Sequence, residues 1–200
     1  MKWQKSKVII DQMIKGSSGE LWGSKLEQSD HFKILDFLLN QTQKNGLLVD
    51  VGCGAGDVFR VWGSNYLGVD LDWIIENVSK SCNPLANYKS ADVLSYDFEK
   101  IPNCSCILMN AFLDVIENPS NFLEKICQSK KAKFIIVHRQ QIKNIEKDES
   151  SISESYGKSL VPRSIMSLKK LNSIIENYCE NEVNLIHWSE NYYSFILRIK

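Results

Sequence analysis

Residues 48–56 read LVDVGCGAG, an apolar run broken by Asp50 and followed by glycines at 52, 54 and 56. Glycines at this density, directly after a short strand-like run, let a ligand approach the backbone. The charge of that ligand decides how the rest of the chain is read. A second β-type run, YLGVDL (66–71), follows after AGDVFRVWGSN, which can carry one helix of a βαβ unit.

The alternation continues. WIIENVSKSC reads as a second helix, NYKSADV as a weak third strand, CILMNAF as a fourth, PSNFLEKICQS as a helix and AKFIIVHR as a fifth strand. Strands and helices alternating at this length imply an α/β fold with a parallel sheet covered on both faces. Before the glycine run, SDHFKILDFLLN has helical spacing, with Ser29 or Asp30 as N-cap and a stop near Asn45-Gly46. After residue 140, QQIKNIEKDESSISESYGKS is polar, the composition of a mobile loop. SLKKLNSIIENYC returns to helical spacing, and NEVNLIHW and YYSFILRIK, joined by SEN, can pair only as an antiparallel hairpin.

Bulk properties narrow the function. The 200 residues suit one domain. Basic and acidic residues balance at 24 each, so no global field attracts polyanions and nucleic acid is not an expected partner. Met1 to Gly16 lacks the apolar centre of a signal peptide and no run is long enough to span a bilayer, so a cytoplasmic protein with no membrane partner is expected. Six cysteines without a CxxC pair, and three scattered histidines, point to reduced, mostly buried thiols and no metal.

Two ligand classes use glycine loops of this kind. A dinucleotide fingerprint GxGxxG counted from Gly52 would place its third glycine at 57, which is Asp57. With Asp50, that sets two carboxylates around the seat of a pyrophosphate and disfavours nicotinamide and flavin dinucleotides. S-adenosylmethionine carries a sulfonium and an ammonium and no phosphate, so the same carboxylates favour it. Asp70 at the end of the second strand can accept from both ribose hydroxyls, Asp92 can accept from the adenine amino group, and Asn110 ends the fourth strand beside the same crevice.

VDVGCGAG, YLGVDLD, SADV and CILMNAFLDVIENPSNFLEKI, in this order and spacing, resemble the successive motifs of the class I S-adenosylmethionine-dependent methyltransferases. The likeness runs from about residue 30 to the end. It implies a doubly wound, mostly parallel seven-stranded sheet with a C-terminal antiparallel hairpin. It divides the single domain into an N-terminal helical segment, residues 1–45, covering the cofactor site, and a methyltransferase-like part, residues 46–200. By the same resemblance Asp50, Gly52, Cys53 and Gly54 line the methionine moiety, Asp70 and Leu71 the ribose, Asp92 and Val93 the adenine, and Asn110 the edge nearest the sulfonium. Trp22 either closes over the cofactor or anchors the core.

The departures are specific. Many small-molecule O-methyltransferases of this class read like FDLVVASEVLEHVPDP along the fourth strand; aligned on CSCILMNAFLDVIENP, Ser105 replaces the aspartate, Asp114 the glutamate and Val115 the histidine. The DPPY-type signature of amino-group methylation is absent as well. With the usual histidine gone, His138, at the end of the fifth strand, becomes the expected catalytic residue, acting as the general base or orienting the acceptor hydroxyl. His31 and His187 read as structural, while Tyr156 and Arg163 are placed to contact an acceptor if the polar segment folds over the site. The expected activity is O-methylation of a small-molecule acceptor such as a sugar or glycan precursor, with S-adenosyl-L-homocysteine as product. The alternative is a catalytically silent methyltransferase-like subunit that binds a partner.

Overall fold

In the computed structural model, which describes residues 7–21, 23–42, 46–95, 101–155, 159–180 and 183–200, the run Leu48–Val51 forms β1 and is buried along its whole length. A strand with neighbours on both edges and cover on both faces needs that continuous apolar character. Its neighbours are β2 (Tyr66–Asp70) and β4 (Cys104–Asn110), both parallel to it. Outside them lie β3 (Asn87–Ser90), beside β2, and β5 (Ala132–Lys143), beside β4. The order therefore reverses between β1 and β4, and a crevice opens outside the carboxyl ends of those strands. The C-terminal hairpin, β8 (Ile186–Ser189) and β9 (Tyr192–Arg198), adds to the far edge of β5 with β9 antiparallel. This is the doubly wound, mostly parallel α/β sheet that the strand and helix alternation implies.

Each face of the sheet has its own core. On one, α2 (Phe32–Asn40) packs Leu35, Leu38 and Leu39 against Leu48, Tyr66, Leu108 and Ile136, with Val58 and Phe59 from the start of α3 (Phe59–Trp62). On the other, α6 (Pro119–Ser129) and α7 (Leu168–Tyr178) pack Leu123, Ile126, Leu171 and Ile174 against Val49, Ile107, Met109 and Ile135. Truncating one of these fully buried leucines to alanine costs about 2–5 kcal/mol. An N-terminal helix, α1 (Lys7–Ser18), precedes α2. All six cysteines are free, and Cys53, Cys106, Cys127 and Cys179 are buried. Among the described residues no helix is long and apolar enough to cross a membrane.

Three local expectations change. His31, and not Ser29 or Asp30, is the N-cap of α2, with no side-chain capping bond, and the helix stops at Asn40. The helix after β2 is interrupted: α4 (Asp72–Ile74) runs into a π turn, Ile75–Ser79, before α5 (Lys80–Cys82). The polar segment expected as a mobile loop is sheet. β5 continues to Lys143, and β6 (Glu149–Ser155) and β7 (Ser159–Ser167) form an antiparallel hairpin.

The reason lies in the overrun of β5. Gln141 pairs with Tyr192 of β9 on one edge and with Ile165 of β7 on the other, the edge that β4 occupies only as far as Asn110 opposite His138. Backbone groups left open where β4 stops are taken up by β7. Polar side chains complete the join: the Gln140 amide donates to the carbonyls of Gln141 and Ser164, and the Ser150 and Ser164 hydroxyls meet at 2.9 Å. Among the described residues the sheet thus has nine strands, the seven expected and this hairpin, which stands above the carboxyl end of β4.

Candidate active site

The glycine run leaves β1 in a conformation that needs glycine. Gly52 and Gly56 have φ of +71° and +73°. A Cβ on Gly52 would stand 2.2 Å from the Phe112 ring, and one on Gly56 2.4 Å from the Tyr88 hydroxyl. The loop is held from behind through its carbonyls. Ser79 Oγ, delivered by the π turn, donates to the carbonyl of Gly54 at 2.5 Å, and the Asn83 amide donates to that of Ala55 at 2.8 Å. The Tyr88 hydroxyl lies 3.2 Å and 3.0 Å from the carbonyls of Ser79 and Asn83. π turns inside helices recur at functional sites, and here the extra residue places a buried hydroxyl under the loop.

Four carboxylates surround this loop, each in a different state. Asp50 is 2% exposed; the Tyr66 hydroxyl donates to its Oδ2 at 2.8 Å, while its buried Oδ1 has no hydrogen-bond partner among the described residues. Burial pushes its carboxyl up to about 7, against the pull of the Tyr66 bond and with Asp70 and Asp57 adding repulsion. Asp70 accepts from the backbone N–H of Gly54 at 2.9 Å and of Leu71 at 2.7 Å. Burial raises its pKa and the two amides lower it, with burial the larger effect. Asp92 accepts from the N–H of Leu94 at 3.1 Å, which is turn chemistry, and its residue is otherwise exposed. Asp57 is neutralised: Arg60 Nη1 contacts it at 2.8 Å and Ser17 donates to it, while Arg60 Nε also binds Glu27 at 2.9 Å. Asp57 therefore ties α1, the segment before α2 and α3 together, and the paired Arg60 screens its charge.

Two cavities open at the carboxyl edge, and Gly52 belongs to both. The smaller, of about 70 Å³, is lined by Gly52, Asp70, Leu71, Ala91, Asp92, Val93, Leu94 and Phe112. The larger, of about 730 Å³, takes Asp50, Gly52, Cys53 and Asn110 on its sheet side. Its walls come from the segment before α2 (Lys25, Leu26, Ser29, Asp30, His31), from the β6–β7 hairpin (Arg163) and from the C-terminal hairpin (Trp188, Tyr192). Eight of the ten residues expected at a cofactor thus line one or the other cavity. Gly54 lines neither and acts through its amide on Asp70. Trp22, like Tyr156 on the acceptor side, lies outside the described residues.

Phe112 was not anticipated. Its ring lies against Gly52, where the two cavities meet, and packs edge-on to Phe122 at 5.4 Å. Asp114, which lines the larger cavity, sits in a short 3₁₀ turn, Leu113–Val115, with a buried Oδ1 that has no hydrogen-bond partner among the described residues. Burial pushes its carboxyl up to about 6, while the nearby Arg139 and Arg163 pull it down. Arg139 is placed there by a register shift of β5 against β9 between Val137 and Gln140. It has a φ of +62°, and its Nη2 donates to Asn110 Oδ1 at 3.2 Å. Bulges next to sites re-aim side chains in this way.

The expected position of His138 needs correction. It does end the paired stretch beside Asn110, but the imidazole is 1% exposed and lines neither cavity. Its Nε2 lies 3.0 Å from His31 Nδ1, and its Nδ1 lies 2.8 Å from Ser194 Oγ. Both ring nitrogens are engaged, so no acceptor atom reaches them in this arrangement. His31, read from the sequence as structural, stands between His138 and the larger cavity. Neither Phe112 nor His31 carries a local signal of its role. Their importance comes from which elements pack over the crevice.

No protein-family model matches the chain and no curated protein matches it in sequence. Solved structures do match in fold. The N-terminal domain of EvdMO1, crystallised in the presence of S-adenosylhomocysteine (SAH) and D-fucose, superposes with a TM-score of 0.63 at 11% identity, over 98% of this chain and 84% of that one. CalS10, an amino pentose methyltransferase of Micromonospora echinaspora with S-adenosylmethionine (SAM) bound, gives 0.60 at 9% identity over 89% and 93%. An S-adenosylmethionine-dependent methyltransferase from Mesorhizobium loti gives 0.58 at 12% over 86% and 99%. With the strand order, the C-terminal hairpin and the glycine loop in place, the chain has the class I S-adenosylmethionine-dependent methyltransferase fold.

Proposed function

We propose that the protein is an S-adenosylmethionine-dependent methyltransferase that methylates a hydroxyl of a small molecule, of the size and polarity of a sugar or glycan precursor. The observation that carries this reading is the pair of cavities meeting at Gly52, one holding the adenosine-type residues and the other extending past Asn110. The residues fit the cofactor. Asp70 keeps lone pairs for ribose hydroxyls beyond the two amides it accepts, and the bare Oδ1 of Asp50 suits an ammonium group. When bound, S-adenosylmethionine supplies a methyl group already activated by its sulfonium.

What remains for the chain is to seat the acceptor, exclude water and take one proton. A volume of about 730 Å³ is within the range of small-molecule pockets, and its aromatic Trp188 and Tyr192 beside Arg163 and Asp114 suit a polyhydroxylated ring. EvdMO1 with D-fucose and the amino pentose methyltransferase CalS10 support a sugar-like acceptor by analogy of fold. Asp114 takes over the base role first expected of His138. Its buried Oδ1 has no partner among the described residues, and its pKa of about 6 leaves it ionised at neutral pH yet basic enough to accept a proton. The test is a screen of free sugars, sugar phosphates and glycosides scored by SAH release, beside calorimetry with SAH. Binding of SAH with turnover of a hydroxyl acceptor supports the reading. Absence of SAH binding overturns it.

A further inference from the structure

The buried polar chain behind His31 has a direction, and that direction has a chemical consequence in the larger cavity. Ser194 on β9 is fully buried, and its Oγ has two neighbours: the backbone N–H of Arg139 at 3.3 Å and His138 Nδ1 at 2.8 Å. A backbone amide can only donate, so Oγ accepts from Arg139. The hydroxyl hydrogen of Ser194 then has a single acceptor among the described residues, His138 Nδ1. A buried hydroxyl left with no acceptor loses about 1–3 kcal/mol, which sets the orientation. With Nδ1 accepting, a neutral His138 carries its proton on Nε2 and donates it to His31 Nδ1 at 3.0 Å. A neutral His31 must in turn carry its proton on Nε2, and His31 lines the larger cavity.

We propose that His31 binds the acceptor as a fixed N–H donor, held in one tautomer by His138 and Ser194, and that it selects acceptors bearing an oxygen lone pair within the cavity that Asp114 also lines. The proposal rests on the transferase reading for the identity of the acceptor, while the locked tautomer stands independently of it. It gives the cavity two complementary polar groups: Asp114 accepts a hydroxyl hydrogen and His31 donates to an oxygen, a combination suited to a polyol. His138 and Ser194 are positioning residues. The backbone N–H of Arg139, the one member that cannot reverse, anchors the polarity, and the left-handed φ of +62° at that residue accompanies its placement.

Burial, with the nearby Arg139 guanidinium, keeps both rings neutral. The charged groups facing the pair are Arg139 on β5 and Asp30 before α2. Burial, then Arg139, hold His31 down to about 4, with Asp30 opposing them; burial, Arg139 and His31 hold His138 well below the ordinary imidazole range. A base role for His31 would put a cation beside the Arg139 guanidinium in a buried site. A donor role puts none there.

Two measurements decide the matter. Nitrogen-15 NMR of the full labelled chain between pH 5.5 and 8 is expected to show a bare Nδ1 and a protonated Nε2 on both His31 and His138, with no titration. Ser194→Ala is expected to scramble the tautomers and Ser194→Thr, which restores the hydroxyl, to return them. A protonated Nδ1 on His31, an even mixture in the unmodified chain, or an imidazolium forming near pH 6.5 would overturn the locked donor. In turnover assays with the acceptor found by the screen, His31→Phe is expected to raise the acceptor KM by roughly 10-fold with SAH affinity within about twofold, and His31→Gln, which keeps an N–H, to recover most of the loss. A normal acceptor KM in His31→Phe removes the donor role even if the tautomer is as described. If SAH binding itself is absent, the transferase reading falls and the NMR result still decides the tautomer.

Discussion

Replacing Asp50 by asparagine is expected to make the ligand-free protein more stable and the cofactor complex weaker, because the carboxylate is buried for a partner the free chain lacks. Burial lifts the Asp50 carboxyl from 3.8 to about 7. A carboxyl whose folded pKa is raised binds its proton more tightly in the folded state, so stability falls as pH rises through the window from 3.8 to about 7 and the full penalty applies above it. That shift corresponds to about 4 kcal/mol at pH 8. Asparagine removes it and retains an oxygen for the Tyr66 hydroxyl, but leaves a buried amide N–H₂ in place of the bare Oδ1, at a cost of about 1–3 kcal/mol. The net gain for Asp50→Asn is about 1–3 kcal/mol at pH 8. For a chain of 200 residues this is a rise in Tm of roughly 2–12 °C, shrinking or reversing at pH 4. Against S-adenosylmethionine the variant loses a charge-assisted contact of about 1.5–3 kcal/mol, a fall in affinity of roughly 10-fold to 150-fold. Near pH 7 the unmodified protein should also release about half a proton on binding, as the ammonium ionises Asp50, and the variant none. Thermal unfolding at pH 4 and pH 8, with calorimetry in two buffers of different ionisation enthalpy, reads all three. A variant no more stable at pH 8, with unchanged affinity and unchanged proton release, would refute both the buried charge and its assigned partner.

Asp70→Ala is expected to weaken SAH binding by roughly 1–3 kcal/mol, read by calorimetry, since the loop amide of Gly54 and the ribose lose a common acceptor. Asp114→Asn should lower turnover by about 10²-fold to 10⁴-fold at unchanged SAH affinity and abolish the acidic limb expected of the unmodified protein as pH falls through about 6; a surviving limb would move the base elsewhere. Gly56→Ala should destabilise the fold measurably in denaturant titration, because its left-handed φ and the Tyr88 hydroxyl 2.4 Å from the new Cβ both oppose it. Filter binding on tRNA and single-stranded DNA is expected to show no tight, salt-sensitive retention, in line with the balanced charge.

The parts of the molecule that were legible in the sequence are those where one local pattern has one physical outcome. LVDV is apolar at nearly every position because β1 is covered on both faces, and the three alternate glycines follow because the backbone must turn sharply beneath Phe112 and Tyr88. Asp70 and Asn110 fall at strand ends, so counting along the strands was enough to bring them to one edge. What stayed hidden depends on partners distant in sequence. Tyr66 reaches Asp50 across neighbouring strands, His31 meets His138 only because α2 starts above β5, and Arg139 turns into the crevice through a register shift against β9. The segment after Lys143 was misread for a related reason. Serines and glutamates have low strand propensity, and their pairing follows from the edge of β5 that lies open beyond Asn110.

The hairpin that fills this edge begins and ends almost at the same point. Lys143, where β5 ends, pairs with Ser167, where α7 is about to begin, and the closed base is pinned by the Asp148 carboxylate, which accepts from Ser120 N and Ser167 N, each at 2.9 Å, and from Ser120 Oγ at 2.7 Å. Provided Asp148 and the β7 residues that pair with β5, Ile165 and Met166 among them, are kept, the outer part of the hairpin can vary without moving either β5 or α7. Because the hairpin contributes Arg163 to the larger cavity and none of its described residues to the smaller one, a change in it would, under the proposed function, alter the seat of the acceptor and leave the adenosine end of the methyl donor's seat in place.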